Sequence, residues 1–200
     1  MNAEGNEVIS GKYGVRENSD RQLVAFFAPL IEKGLIPVSF TVDGNPQVIR
    51  TIQTLWPDIL IQRCLVHIQR QGLMWCRHKP KTTYARKLRD IFLQVTRIRT
   101  IGERNQFLES VYHWEREYGG YIQSHPERGR VFSDVKRARS MLLKALPHMF
   151  HYLNDPGIPF STNGLEGYFS RLKRDYRQHR GLTKSKLNNY FAWYFYFKLS

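Results

Sequence analysis

The stretch that decides the fold is Pro37–His67, PVSFTVDGNPQVIRTIQTLWPDILIQRCLVH. Residues 38–42 form a short β-prone run, and residues 59–64 form a second one that continues into a helix. Between the two runs, Asn45-Pro46 is a typical helix start, with an N-cap asparagine and a proline at the first helical position. The pattern predicts a β-α-β unit with parallel strands, in which functional groups gather at the carboxyl ends of the strands.

A helix is expected before this unit. Apolar residues recur at helical spacing from Ser19 until Gly34, and Ser19 with Gln22 resembles a capping box that would open the helix. Gly34 is typical of a helix end. The amino-terminal part of the chain is therefore predicted to place one helix next to the first strand.

Helical periodicity governs the rest of the chain. From about Lys81, apolar residues at every third and fourth position predict three consecutive helices. A loop rich in proline and glycine follows at residues 154–159, and two last helices are expected at residues 162–176 and 183–199. The predicted fold class is therefore α/β, with a long helical segment after the strands.

Charge is the strongest compositional feature. The chain has 31 Lys and Arg against 17 Asp and Glu, a formal net charge of +14 and a pI near 10. This balance predicts a polyanionic partner, with nucleic acid first and an anionic membrane surface second. The sequence has no run of 18 apolar residues, no leader pattern at its start and only two cysteines. We therefore expect an intracellular protein without membrane insertion.

Asp43 is the first candidate for chemistry. It follows the first predicted strand and precedes Gly44, so a metal ion or a phosphate would have room to approach the backbone. The same position suits an aspartate that shapes the turn and helps to cap the next helix. From the residues alone, both interpretations stay open.

Glu166 is the second candidate. It lies one turn into a predicted helix, beside an apolar stripe expected to face inward, formed by Leu165, Phe169 and Leu172. The alternative is a solvated charged face with a contact from Glu166 to Ser170 or Lys173.

Cysteine and histidine residues form a third constellation. Cys64, His67, Cys76 and His78 give the spacing C-x2-H-x8-C-x-H, which supplies four soft ligands. This spacing is tighter than that of common zinc modules, so packed and hydrogen-bonded side chains are favoured over zinc.

Basic residues crowd two stretches, 77–104 and 171–186, with aromatic residues between them. Such groups neutralise phosphates without reading the base sequence. The residues of the second stretch that we expect to bind DNA are Arg171, Lys173, Arg174, Arg177, Arg180 and Lys184.

Three blocks of the sequence resemble the Mutator-like and related bacterial insertion-sequence transposases, which have an Asp-Asp-Glu active site. Pro37–Gly44 is similar to the strand that ends in the second catalytic aspartate. Trp56–His67 is similar to the segment in which a Gln-x-Cys-x-x-His pattern follows a proline. Ser161–Glu166, followed by Leu172-Lys173 and Arg180-Gly181, resembles the segment that carries the third catalytic acid.

The resemblance implies an RNase H-like core interrupted by an all-helical insertion between the second aspartate and the glutamate. On this interpretation, residues 1–79 are the first part of the core, residues 80–155 the insertion, and residues 156–200 the carboxy-terminal helices of the core.

The resemblance also implies a chemistry. Asp43 and Glu166 would be catalytic and would bind Mg²⁺ in a two-metal site that cleaves phosphodiesters and transfers strands. Cys64 and His67 would be the family's Cys/His pair. The partners would be transposon ends and target DNA in the cytoplasm, in association with the nucleoid. A homo-oligomer in a synaptic complex stays open.

One departure from the family pattern shapes the prediction. The family's first catalytic aspartate lies on a strand upstream of the first helix, yet the only aspartate before Asp43 is Asp20, at the predicted helix start. The sheet is therefore expected to lack its first strands, and we predict that the chain is amino-terminally truncated and inactive alone. The alternatives are a non-catalytic DNA-binding remnant or regulator, and a zinc-stabilised nucleic-acid-binding module.

Overall fold

Helices dominate the computed structural model, which describes residues 1–2, 7–125, 129–179 and 181–199, without the side chains of residues 130, 131, 184, 198 and 199. The strands are β1 Ser39–Val42 and β2 Leu60–Arg63. The helices are α1 Asp20–Glu32, α2 Pro46–Leu55, α3 Leu65–Cys76, α4 Thr83–Gln94, α5 Ile101–Trp114, α6 Gly120–Ser124, α7 Gly129–Ala145, α8 Asn163–Tyr176 and α9 Lys184–Leu199. A π-helical turn, Glu115–Gly119, joins α5 to α6.

The predicted β-α-β unit is confirmed. β1 and β2 are the neighbouring parallel strands of a two-stranded sheet, and α2 connects them. The side chain of Asn45 accepts hydrogen bonds from the amides of Gln47 (2.9 Å) and Val48 (3.4 Å), which satisfies two amides that the first helical turn leaves without an intrahelical partner. The small parallel sheet and the helices around it thus agree with the predicted α/β class.

The helix predicted before the sheet is also present, but the prediction that a capping box opens it is wrong. Ser19 makes no side-chain cap, and the Oε1 atom of Gln22 instead accepts from the amide of Arg16 at 2.8 Å. The glutamine therefore stabilises the turn before α1 rather than the N-cap. The end at Gly34 is as expected: its φ of +81° lets the chain turn back, and the amide of Leu35 bonds to the carbonyl of Leu30 at 2.9 Å.

The chain divides into two compact units. The helical unit is Gln62–Pro156, and the discontinuous unit combines Met1–Ile61 with Gly157–Ser200. The chain thus leaves the discontinuous unit within β2 and re-enters it before α8.

The helical unit has the denser interior. Its largest fully buried side chains include Phe92, Phe107 and Leu88, all at 1% exposure or less. Gly72 of α3 faces the ring of Phe92 of α4, and a Cβ atom at position 72 would overlap that ring. The absence of a side chain at Gly72 therefore allows α3 and α4 to approach closely.

In the discontinuous unit, α8 and α9 share a core of Tyr168, Leu172, Phe191 and Phe195. The predicted inward stripe of α8 is wrong in two of its three residues, because Leu165 and Phe169 are 36% and 43% exposed. Tyr168 and Leu172, one turn apart, face α9 instead. The correction rotates α8 relative to the prediction and changes which side chains lie beside Glu166.

Candidate active site and nucleic-acid surface

Asp43 lies directly after β1 and its side chain is exposed. Its Oδ1 atom accepts a hydrogen bond from the amide of Asn45 at 3.2 Å. Gly44, between them, has a φ of +106°, a conformation that glycine adopts without strain. The aspartate therefore shapes the strand-to-helix turn, as one interpretation predicted, while its carboxylate stays at the strand end, where the other interpretation requires it.

Glu166 lies in the first turn of α8 and is half-buried, with its Oε1 atom shielded from solvent. The hydroxyl of Ser170 donates to the main-chain oxygen of Glu166 at 2.9 Å. Ser170 thus contacts the backbone of Glu166. An acid in the first helical turn is also favoured by the positive end of the helix dipole.

One hydrogen bond connects the elements that carry these two acids. The hydroxyl of Thr41 donates to the carbonyl of Pro159 at 2.7 Å, across 118 residues of sequence. Thr41 is two residues before Asp43, and Pro159 is in the segment that leads into α8. Both acids belong to the discontinuous unit, so the strand end and the approach to α8 lie side by side. Sequence analysis missed Thr41, whose only signal is a hydroxyl on a β-branched strand residue.

Asp20 has a different role. It is the first residue of α1, and its Oδ1 atom accepts hydrogen bonds from the side chains of Gln47 and of Thr51, the latter at 3.2 Å. These bonds attach α1 to α2. Asp20 is therefore a first-turn acid, as its position in the sequence predicted, and it also joins α1 to α2.

Cys64, His67, Cys76 and His78 all belong to the helical unit, whereas Asp43 and Glu166 belong to the discontinuous unit. Cys64 is the buried N-cap residue of α3 and Cys76 is its buried last residue. Twelve helical residues separate the two sulfur-bearing positions by about 18 Å, so they cannot share one ion while α3 is intact. Burial raises the pKa of the Cys76 thiol to about 12, against an opposing effect of Arg89. The thiol therefore stays protonated and behaves as a small apolar side chain.

The predicted DNA-binding residues of α8 and the turn after it are exposed: Arg171, Lys173, Arg174 and Arg177. Of these, Arg174 lies 3.6 Å from the carboxylate of Asp175. Arg180 lies outside the described residues, and so does the side chain of Lys184. Lys173 and Arg177 follow Glu166 at seven and eleven residues and thus share its face of the helix.

Several basic residues of the helical unit have acidic partners that the sequence did not suggest. Arg139 binds both carboxylate oxygens of Glu115, with a shortest distance of 2.6 Å. Lys87 lies 2.7 Å from Glu117, and Arg77 lies 3.4 Å from Asp134. Part of the positive charge of this unit is therefore neutralised within the protein.

These features define an α/β protein with a strongly basic surface, of the kind that acts on a polyanion. The chain matches the model of the family described as Transposase, Mutator family, over residues 1–182. It belongs to the Mutator family of transposases, and membership implies an action on DNA. No curated protein and no solved structure matched the chain. Among the described helices, none is long and apolar enough to cross a membrane.

Proposed function

We propose that this chain acts on DNA in transposition and that Asp43 and Glu166 hold a catalytic Mg²⁺ ion. The observation that carries this proposal is the hydrogen bond from Thr41 to Pro159, which places the strand end bearing Asp43 beside the segment entering α8. In the first turn of α8, Glu166 has one carboxylate oxygen that is shielded from solvent.

The donor set fits magnesium. Mg²⁺ prefers oxygen ligands and keeps several waters, so two carboxylates and the phosphate oxygens of a substrate can complete its shell. Asp43 is exposed, and Gly44 next to it has no side chain to obstruct a phosphate. When bound, such an ion activates an attacking water or hydroxyl group and stabilises the leaving oxygen of a phosphodiester.

The residues of α8 would position the DNA. Lys173 and Arg177 are exposed and share the face of Glu166, so their charges can neutralise phosphates on either side of a bound substrate. Arg171 and Arg174 project from other parts of the helix and would add affinity that depends strongly on salt. These contacts would orient the DNA without selecting its base sequence.

We also propose that the discontinuous unit is part of an RNase H-like core with an inserted helical segment, predicted at residues 80–155. Support comes from the course of the chain, since the helical unit is continuous in sequence whereas the other unit is assembled from both sides of it.

We further propose that the 200-residue chain does not transfer strands alone. The family's active site uses three carboxylates, and the only aspartate before Asp43 is Asp20, whose carboxylate is held by Gln47 and Thr51. A robust Mg²⁺-dependent cleavage that Glu166→Gln abolishes would overturn this part of the proposal.

Calorimetric titration of Mg²⁺ into the chain bound to short duplex DNA tests the metal site. Asp43→Asn and Glu166→Gln should each weaken Mg²⁺ binding by about tenfold or more, because each removes a charged oxygen ligand. Asp58→Asn, an exposed acid of the same unit, is the matched control and should change nothing. Equal effects of Asp58→Asn and Asp43→Asn would refute the assignment.

The alternative is a non-catalytic DNA-binding protein, and the bond from the Asn45 amide to Asp43 favours it, since that bond gives Asp43 a structural task in the turn. In that case duplex binding would be the same in EDTA and in Mg²⁺, and Asp43→Asn would leave it unchanged.

A further inference from the structure

Helix α9 has an unusual concentration of aromatic residues. From position 190 to position 197, every residue except Ala192 is aromatic. A helix that buries one face needs only about half of these positions to be apolar. The remaining rings therefore call for a separate explanation.

The structure divides these rings between two faces. Phe191 and Phe195 are buried against α8. Trp193, Tyr196 and Phe197 lie on the other side, 59%, 62% and 68% exposed. Large aromatic side chains with this exposure are not contributing to the core of the unit.

The three exposed rings form one cluster. The rings of Trp193 and Phe197 are nearly parallel, with centroids 5.6 Å apart and an interplanar angle of 23°. Tyr196 contacts both edge-on, at 5.7 and 5.5 Å. Contacts among the three rings restrict their rotation, which would lower the entropic cost of binding a base.

Polar residues extend the same face towards the start of α9. Asn189 and Lys186 precede Trp193 by four and seven residues, so both lie on its side of the helix, and both are exposed. No acidic residue occurs in α9. The exposed face thus presents a cation, an amide and an aromatic cluster in a row, here called the α9 stripe: Lys186, Asn189, Trp193, Tyr196 and Phe197.

This chemistry favours nucleic acid over a second copy of the chain. A net charge of +14 makes two copies repel each other, whereas it attracts a polyanion. Aromatic faces stack on bases of any identity, a lysine neutralises a phosphate, and an amide can bond to a base edge. Base faces are hidden within a duplex, so the ligand must have unpaired nucleotides.

We propose that the α9 stripe binds unpaired nucleotides of the DNA substrate by stacking bases on Trp193 and Phe197. This inference rests on the proposed action on DNA, and adds to it a preference for single-stranded or opened DNA. Lys186, seven residues before Trp193, would contact the backbone beside the stacked base.

The test compares oligo(dT) with a duplex of equal length, each labelled and titrated with the 200-residue chain at one fixed salt concentration. Trp193→Leu keeps an apolar side chain but removes the flat ring, and should weaken oligo(dT) binding on the order of tenfold. Trp193→Phe should restore most of the affinity. Duplex binding should change less than about twofold in both variants, because phosphate contacts dominate it.

Tyr112→Leu in α5 is the matched control, since Tyr112 is 63% exposed but belongs to the helical unit. It should leave oligo(dT) binding unchanged. If Trp193→Leu does not fold, Tyr196→Leu takes its place, with the thermal transition of each variant as the check on folding.

The outcomes are distinct. Equal losses for oligo(dT) and duplex, or no loss for either, would overturn the stacking proposal and leave the proposed action on DNA intact. Failure of the unmodified chain to bind either DNA would overturn both. A dimer in sedimentation experiments that Trp193→Leu converts to a monomer, without any change in DNA affinity, would identify the stripe as an interface between copies and would also overturn the proposal.

Discussion

The helical unit and the discontinuous unit use the same kinds of side chain for different purposes. In the helical unit, large apolar residues such as Phe92 and Phe107 are almost completely buried, and the charges of Arg139 and Glu115 bind each other. In the discontinuous unit, Trp193, Tyr196 and Phe197 form a cluster of exposed rings, and the basic residues of α8 are exposed. The difference indicates that stabilising contacts are concentrated in the helical unit and that groups able to bind a ligand are concentrated in the discontinuous unit.

The comparison is tested most strongly by removing one aromatic ring from each unit. Phe92→Ala leaves a cavity in a fully buried site and should lower the free energy of unfolding by about 3–5 kcal/mol. Phe169→Ala removes a ring that is 43% exposed and should have a much smaller effect. Denaturant unfolding measures both. Similar losses in the two variants would show that the units are packed equally well.

Charge pairing gives the next largest effect. Arg139→Gln removes the guanidinium that binds Glu115, in a pair whose side chains are 18% and 22% exposed. The carboxylate then stays partly desolvated without its cation, which should cost about 2 kcal/mol of unfolding free energy.

Lys87→Gln is the control for this pair. It breaks a pair with Glu117 whose side chains are about half exposed, at 49% and 50%. Solvent screens such pairs, so no measurable loss of stability is expected. A larger loss of unfolding free energy from Lys87→Gln than from Arg139→Gln would contradict the idea that the less exposed pair, Arg139 with Glu115, stabilises the unit more.

The location of DNA binding can be tested through its salt dependence. Replacing Lys173 and Arg177 together by glutamine should lower the slope of log affinity against log salt by about two, because two phosphate contacts are lost. The double replacement of Lys81 and Arg86, which are exposed in the helical unit, should leave the slope almost unchanged. The reverse result would assign the phosphate contacts to the helical unit.

Acid sensitivity should be a smaller effect, and it concerns a histidine of the helical unit. Burial, followed by the charges of His151 and Arg63, lowers the pKa of His148 in the helical unit from its usual 6.5. The unfolded chain then binds a proton more readily than the folded chain, so stability is retained above pH 6.5 and decreases as the pH falls below it.

His148→Gln should remove this part of the pH dependence, as measured by thermal unfolding between neutral and mildly acidic pH. His113→Gln replaces an exposed histidine of the same unit and serves as the control. An unchanged pH profile in His148→Gln would contradict the role assigned to burial.

Local signals account for what the sequence could predict. Asn45-Pro46 determines where α2 begins. The side chain of Asn45 accepts hydrogen bonds from free amides of the first turn, and Pro46 has a helical φ and no amide hydrogen that would need a partner. The two β-prone runs on either side of α2 form β1 and β2. They were predictable because their strand propensity and the turn residues that flank them both favour short strands. The last two helices also appear where their periodicity predicted them.

Features that depend on tertiary packing could not be predicted. Leu165, Tyr168, Phe169 and Leu172 cover a wide arc of α8, so periodicity alone did not reveal which part faces inward. The position of α9 decides it, by packing against Tyr168 and Leu172. The bond from Thr41 to Pro159 spans 118 residues and has no local signal. The site assignments of Asp43 and Glu166 therefore stay predictions that the fold makes testable.

The π-helical turn Glu115–Gly119 has a consequence for how this gene can vary. In an uninterrupted α-helix, Ile122 would lie about 80° around the axis from Trp114, yet both side chains are buried, at 0% and 3% exposure. The wide turn realigns them by accommodating one extra residue. An in-frame loss of one exposed residue within this turn would leave Trp114 and Ile122 seven steps apart in a regular helix, within about 20° of each other, so both would still face the interior. An in-frame gain of one residue would have to widen the turn further or rotate Ile122 by about 100° away from the interior. The segment should therefore tolerate the loss of one residue better than the gain of one.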